Sequence, residues 1–201
     1  MMTRRFALLS VALLVSGCVT VAPHTLSVGD LQRYRLAEVV VEGAGVIRSW
    51  PAEEANYLAS IPLNADLVDR LRGEPANTFP EVTAHFQRVL GERFRVELTS
   101  QAGPVLTGSQ PARAVVRLKV FDVPSTARRV FVDQDTKIQA DIDLVDARTG
   151  ATILRYEGPL RLRRLIGGLL APVAVGIDPS DTGHPMVTEY VSAYRNWLLQ
   201  N

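Results

Sequence analysis

The sequence predicts an α+β domain in which a mostly antiparallel sheet of about five strands carries helices on one face. Three observations lead there. Between residues 112 and 160 apolar and charged residues alternate, the period-2 pattern of half-covered strands. Asp146-Ala147-Arg148-Thr149-Gly150 interrupts the alternation as a hairpin turn, with glycine where the backbone must turn left-handed. Around this block, residues 79–90 and 186–197 repeat apolar side chains at helical spacing.

In chain order the elements read β-α-α-β-β-β-β-α. Arg35 to Gly43 is rich in β-branched residues and stops at glycine, a strand expected to be central because Val39-Val40-Val41 is apolar on both faces. Trp50-Pro51 opens a helical or irregular stretch with proline in its first turn. A short helix over 65–71, capped by Asn64, presents Leu67, Val68 and Leu71 on one side and ends before Gly73 and Pro75. A stronger helix starts at Thr78, with Glu81 three residues on as a capping box, and carries Phe79, Val82, Phe86, Val89 and Leu90 as its stripe. Gly91 is its expected stop.

From Arg93 to Thr99 the alternation of Phe94, Val96 and Leu98 predicts a strand. Ala112 to Val123 and Arg128 to Val145 are the next two, broken at Pro124-Ser125-Thr126, and Thr152 to Leu160 returns after the turn as the last. Leu165 to Ile177 is almost wholly apolar, but its three glycines and Pro172 argue against a long helix. Pro185 to Leu199 closes the chain as a helix whose Tyr190, Tyr194 and Trp197 belong in the core.

Composition excludes several functions. The formal net charge is +1, with both signs mixed along the chain, unlike the basic stripe of a nucleic-acid binder. Aromatic residues at 6% are too few for stacking platforms. Cys18 is the single cysteine, so neither an intrachain disulfide nor a thiolate zinc site can form. No cofactor is expected. The three histidines, His24, His85 and His184, fall in a linker, a helix and a loop, and no nucleophile elbow, zinc-binding helix motif or phosphate loop accompanies them. Gly43-Ala44-Gly45 lacks the third glycine of a dinucleotide loop. Asp133, Asp135, Asp141, Asp143 and Asp146 lack the glycine turn and distal glutamate of a calcium loop. Asp141 and Asp143 are expected on a solvated sheet face, paired with Arg117, Lys119 or Arg155. A non-enzymatic role follows from this inventory.

The N-terminus says where such a domain would sit. Arg4 and Arg5 precede an apolar run from Phe6 to Val15, too short to span a bilayer, and small residues then lead to Cys18. Val15-Ser16-Gly17-Cys18 resembles the lipobox of bacterial lipoproteins, with valine in the leucine place. The resemblance implies a signal peptide over 1–17, a lipidated Cys18, and a flexible tether over 18–30 in which His24 is solvated. The remaining 31–201 then form one periplasmic domain. Val19, where inner-membrane lipoproteins carry aspartate, implies the outer membrane, facing the periplasm. The layout of the mature domain is similar to that of envelope auxiliary lipoproteins. The implied partners are the membrane, through the anchor, and an envelope protein, with no nucleic acid. An alternative is an auxiliary lipoprotein of lipid or lipopolysaccharide transport, holding a lipid ligand between helices and sheet. Candidate contacts are the free sheet edge and the basic-apolar segment carrying Arg161, Arg163, Arg164, Leu165, Ile166, Leu169 and Leu170.

Overall fold

In the computed structural model residues 21–43, 47–61, 69, 78–125, 135–163 and 183–200 are described, and the statements below concern these residues. Helix α1 (Val28–Leu31) leads into β1 (Tyr34–Glu42) and β2 (Ile47–Ser49), followed by α2 (Pro51–Ser60) and α3 (Pro80–Gln101). A 3₁₀ turn at Gly103–Val105 precedes β3 (Gln110–Asp122), β4 (Thr136–Asp146), β5 (Thr152–Glu157) and β6 (Arg161–Arg163), and α4 (Gly183–Leu198) closes the fold. The class is α+β as expected, with six strands. The sheet runs β1-β3-β4-β5, with β2 extending β1 along β3 and β6 extending β5 along β4. Pairing is antiparallel for β3-β4, β4-β5 and β4-β6 but parallel for β1-β3 and β2-β3. The parallel pair follows from the long helical crossover between those strands.

Four expectations are corrected. Helix α3 does not stop at Gly91, and the strand foreseen at 93–99 is its second half. Leu90, Phe94 and Leu98 lie four apart, a spacing that satisfies a helix and a strand alike. Val96, which a strand would bury beside them, is 49% exposed, whereas Phe94 and Leu98 are fully buried. Strand β1 is an edge among the described residues, not a central strand: β3 is its one partner strand, and besides it β1 meets only an isolated antiparallel bridge between Arg35 and Thr107 at its beginning. Its valine run is apolar on both faces because Val39 and Val41 align with Ala114 and Val116 on the helix side while Val40 aligns with Val115 on the other.

The strand expected over 152–160 ends at Glu157, and a separate short strand, β6, follows at Arg161–Arg163. Residues 158–160 leave the ladder, and the hydroxyl of Tyr190 on α4 takes the vacated place. It accepts from Ala140 N (2.9 Å) and donates to Ala140 O (2.5 Å). Gly158 makes this possible, since a Cβ there would lie 1.8 Å from Tyr190 Oη and 2.2 Å from Ala140 O. Finally, the described part of the foreseen tether is docked rather than loose. Val21 and Leu26 pack against the core, Leu31 is fully buried, and Ser27 and Asp30 form a reciprocal capping box at α1. The expected helix at 65–71, Asp69 apart, and the beginning of the strand from 128 lie outside the described residues.

One core lies between the sheet and α3 and α4. Val82, Phe86, Leu90, Phe94 and Leu98 on α3 meet Met186, Val187, Tyr190, Val191, Tyr194 and Trp197 on α4 over Val116, Ile142, Leu144 and Tyr156, all 4% exposed or less. The helical aromatic stripe is core, as expected. Each such side chain contributes about 1.5–3 kcal/mol on burial. A polar clasp fixes the helix pair: Glu97, 8% exposed, accepts from Arg93 (2.9 Å), Thr188 Oγ1 (2.9 Å) and Gln101 Nε2 (2.6 Å). Its buried charge is thereby satisfied. The turn after β4 forms as foreseen: Gly150 has φ of +75°, and Asp146 Oδ1 accepts from the backbone N–H of Arg148 and Thr149 at 2.9 Å each. Those two bonds hold the Asp146 carboxyl below the usual range.

Candidate functional site

The parallel strand β1 is nine residues long; its beginning is bridged by Thr107 and Gly108, the latter donating to Tyr34 O at 2.7 Å, and beyond that bridge no described strand pairs with its outer side. Parallel strands ordinarily lie inside a sheet with both faces covered. An exposed edge presents backbone N–H and C=O groups in a row, ready to pair with another strand. Beside this edge runs α3, and between them opens a groove of about 530 Å³. Val39, Val40 and Val41 form one wall. Ala84, Gln87, Arg88, Gly91, Glu92 and Arg95, at i, i+3, i+4 and i+7 spacing, form the other. A smaller cavity of about 60 Å³ shares Val41 and Gln87 with it and reaches down to Ile47, Leu90 and Leu118.

Gly91 sets the width of the groove. A Cβ built there would meet only Val41 Cβ, at 3.9 Å, so no steric conflict compels glycine at this helical position. In a helix interior it costs about 1 kcal/mol relative to alanine. Sequence reasoning, reading Gly91 as a terminator, missed the groove. The signal that could have found it was the charge spacing beyond Gly91, where Arg93 pairs with Glu97 one helical turn on and Arg95 with Glu92.

The rim is charged and partly held in place from within. His85 Nε2 lies 2.6 Å from Glu53 Oε1 on α2, with the two side chains only 13% and 8% exposed. Glu53 Oε2 also accepts from Asn56 Nδ2 at 3.3 Å. With Nε2–H donating to the carboxylate, Nδ1 is left as acceptor for Arg88 Nη2, 3.2 Å away. The ring of Tyr57 packs on the same imidazole, centroids 4.9 Å apart. Both nitrogens of His85 are thus engaged in a relay from α2 to the groove rim, where Arg88 is exposed.

The other residues singled out from the sequence are placed as follows. Arg163 bridges to Glu189 on α4 at 3.2 Å, and Arg161 lies by the Tyr156 hydroxyl. Leu160 and Leu162 beside them are 47% and 55% exposed, so Leu162 of β6 faces outward while Arg163 reaches the helix. Arg164, Leu165, Ile166, Leu169, Leu170 and Cys18 lie outside the described residues. Asp141 and Asp143 do lie on the helix-free face and pair across strands as expected, though they are covered rather than solvated. Asp143 meets Arg117 (2.6 Å) and Arg155 (3.5 Å), and Asp141 meets Lys119 (2.7 Å). Their exposures are 3% and 9%, because the long cationic side chains lie over them. Among the described residues no group of three or more histidine, cysteine, aspartate or glutamate side chains is placed to hold a metal. His24, expected in solvent, bonds Leu198 O at 3.2 Å through Nε2. His184 packs edge-on to Trp50 with centroids 5.4 Å apart. The structure does not bring the three histidines together.

Among the described residues no helix is long and apolar enough to cross a membrane. No family model matches this chain, and comparison with curated proteins and with solved structures gave no match.

Proposed function

We propose that this protein is a membrane-anchored bacterial lipoprotein of the outer membrane, facing the periplasm, that serves as a non-enzymatic docking component of an envelope assembly. An extended segment of a partner protein adds to β1 as a further strand and lays alternate side chains into the groove against α3. The observation that carries this reading is the parallel edge of β1 beyond the Arg35–Thr107 bridge, open beside a groove lined by Val39, Val41, Ala84 and Gly91. Strand addition draws affinity from main-chain hydrogen bonds and selectivity from pockets spaced along the strand. The small cavity over Leu90 and Leu118 is one such pocket. The lipobox of Val15-Ser16-Gly17-Cys18 supports the anchor.

A photo-crosslinking residue at Gln87 in the full chain, in living cells, tests the docking. Crosslinks to one short, contiguous segment of an envelope protein are expected. Gly91→Leu should abolish them, since leucine is a good helix former whose side chain fills the groove. Crosslinks unchanged by Gly91→Leu would remove the groove as the site, and crosslinks to lipid would favour the transport alternative. For the anchor, Cys18→Ser should shift the protein out of the membrane fraction, and continued fractionation with membranes after a salt wash would refute it.

A further inference from the structure

The described part of the segment read as a tether is packed on the domain. Residues 21–31 form a strap across the C-terminal end of α4. Trp197 Nε1–H donates to Ala22 O at 2.8 Å, and His24 Nε2 bonds the terminal helix carbonyl of Leu198 at 3.2 Å. The imidazole stands edge-on to the Trp197 indole, centroids 4.6 Å apart. Val21 and Leu26 pack against the core and Leu31 is fully buried, so the strap is part of the folded body from its first described residue. Only Val19 and Thr20 separate Cys18 from Val21. Three virtual bonds span at most about 11 Å.

We propose that the C-terminal end of α4 and the strap over it form a lipid-contact surface, holding the domain flush on the bilayer in one orientation. This rests on the reading of Cys18 as lipidated. The chemistry of the surface fits a bilayer interface. The first Asp, Glu, Lys or Arg after Cys18 is Asp30, so the strap enters the interface without a formal charge to desolvate. Ala22 and Pro23 are exposed, and so is Leu199 just past the helix, at 37%. Arg195, in the last helical turn, is exposed and suited to an anionic headgroup. The opposite end, where Trp50 packs against Gly183 at the start of α4, lies about 20 Å away along the helix. Strand β2 and the exposed Arg48 belong to that far end.

The test uses the full chain, exported and processed in cells, with single added thiols at Leu199→Cys or Arg48→Cys carrying a fluorophore. Mass measurement of the N-terminal peptide establishes lipidation first. In vesicles of phosphatidylglycerol and phosphatidylcholine with nitroxide-bearing headgroups, the label at 199 should lose most of its emission and the label at 48 should keep it. Ten glycine and serine residues inserted between Thr20 and Val21 should restore emission at 199 while the lipid mass remains. Equal quenching at both positions, or at neither, in lipidated protein overturns the orientation and leaves the anchor standing. Absence of the lipid mass overturns the anchor and the orientation with it. Quenching at 199 that survives the insertion would show that the face binds lipid without needing the short span, and would overturn the tethering argument.

Discussion

The two sides of the sheet treat their exposed backbone in opposite ways. On the β5 and β6 side the strands are six and three residues long, carry Arg155, Glu157, Arg161 and Arg163, and break around Ala140. The break is filled from within by Tyr190, so Ala140 keeps both of its hydrogen bonds. Shortness, charge and interruption are the usual means of protecting an edge from pairing. On the other side β1 is nine residues long, carries three consecutive valines, and borders a groove that Gly91 keeps wide. A fold that closes one edge with such a specific fit and leaves the other open beyond the Arg35–Thr107 bridge has a direction in which it can accept a strand.

The largest expected effect is on the closed side. Gly158→Ala drives a methyl group into Tyr190 Oη and Ala140 O, and should cost about 3 kcal/mol by urea denaturation, as overpacking of a filled interior does. A change under half that value would mean that the plug is not tight.

Tyr190→Phe should follow at about 2 kcal/mol, because it strands both the N–H and the carbonyl of Ala140. Tyr194→Phe, one turn along, makes the control. The Tyr194 hydroxyl is buried with no hydrogen-bond partner among the described residues, so its removal should be neutral or mildly stabilising. Burial pushes the hydroxyls of both tyrosines up from the ordinary value of 10.0. The folded protein therefore holds them neutral, and their contribution is complete below about pH 10 and lost as pH rises above it, where unfolded tyrosine ionises. Melting temperature should accordingly fall above pH 10, and less steeply in Tyr194→Phe. An identical slope in that variant would show that Tyr194 ionises freely in the fold.

On the open side the expected effect is smallest and of opposite sign. Gly91→Ala should raise stability by about 1 kcal/mol, since its Cβ meets only Val41 at contact distance and the helix gains propensity. Equilibrium unfolding checks it. A loss of stability would mean that the glycine is required by packing, which would remove the argument that it serves the groove.

How far the fold could be read in advance differs element by element. The helical aromatics of α4 and the turn ending at Gly150 were legible because each follows from spacing or backbone angle within a few residues. The second half of α3 was not, since Leu90, Phe94 and Leu98 suit either period and only the exposure of Val96 decides between them. The groove was invisible for a related reason: it needs α3 to run past Gly91 and β1 to lie at an edge, and neither property is local.

By itself the sequence determined the α+β class, the half-charged character of β3 and β4, and the lipobox-like stretch at Cys18 after the apolar run from Phe6 to Val15. These rest on composition and on periods of two or four residues, which neighbouring side chains enforce. Tertiary structure alone decided that β1 pairs in parallel on one side only, that Gly158 yields to Tyr190, and that residues 21–31 dock on α4. Each of those depends on partners far away in the chain (fifty residues between Ala140 and Tyr190, 174 between His24 and Leu198), whose meeting is set by packing of the whole core.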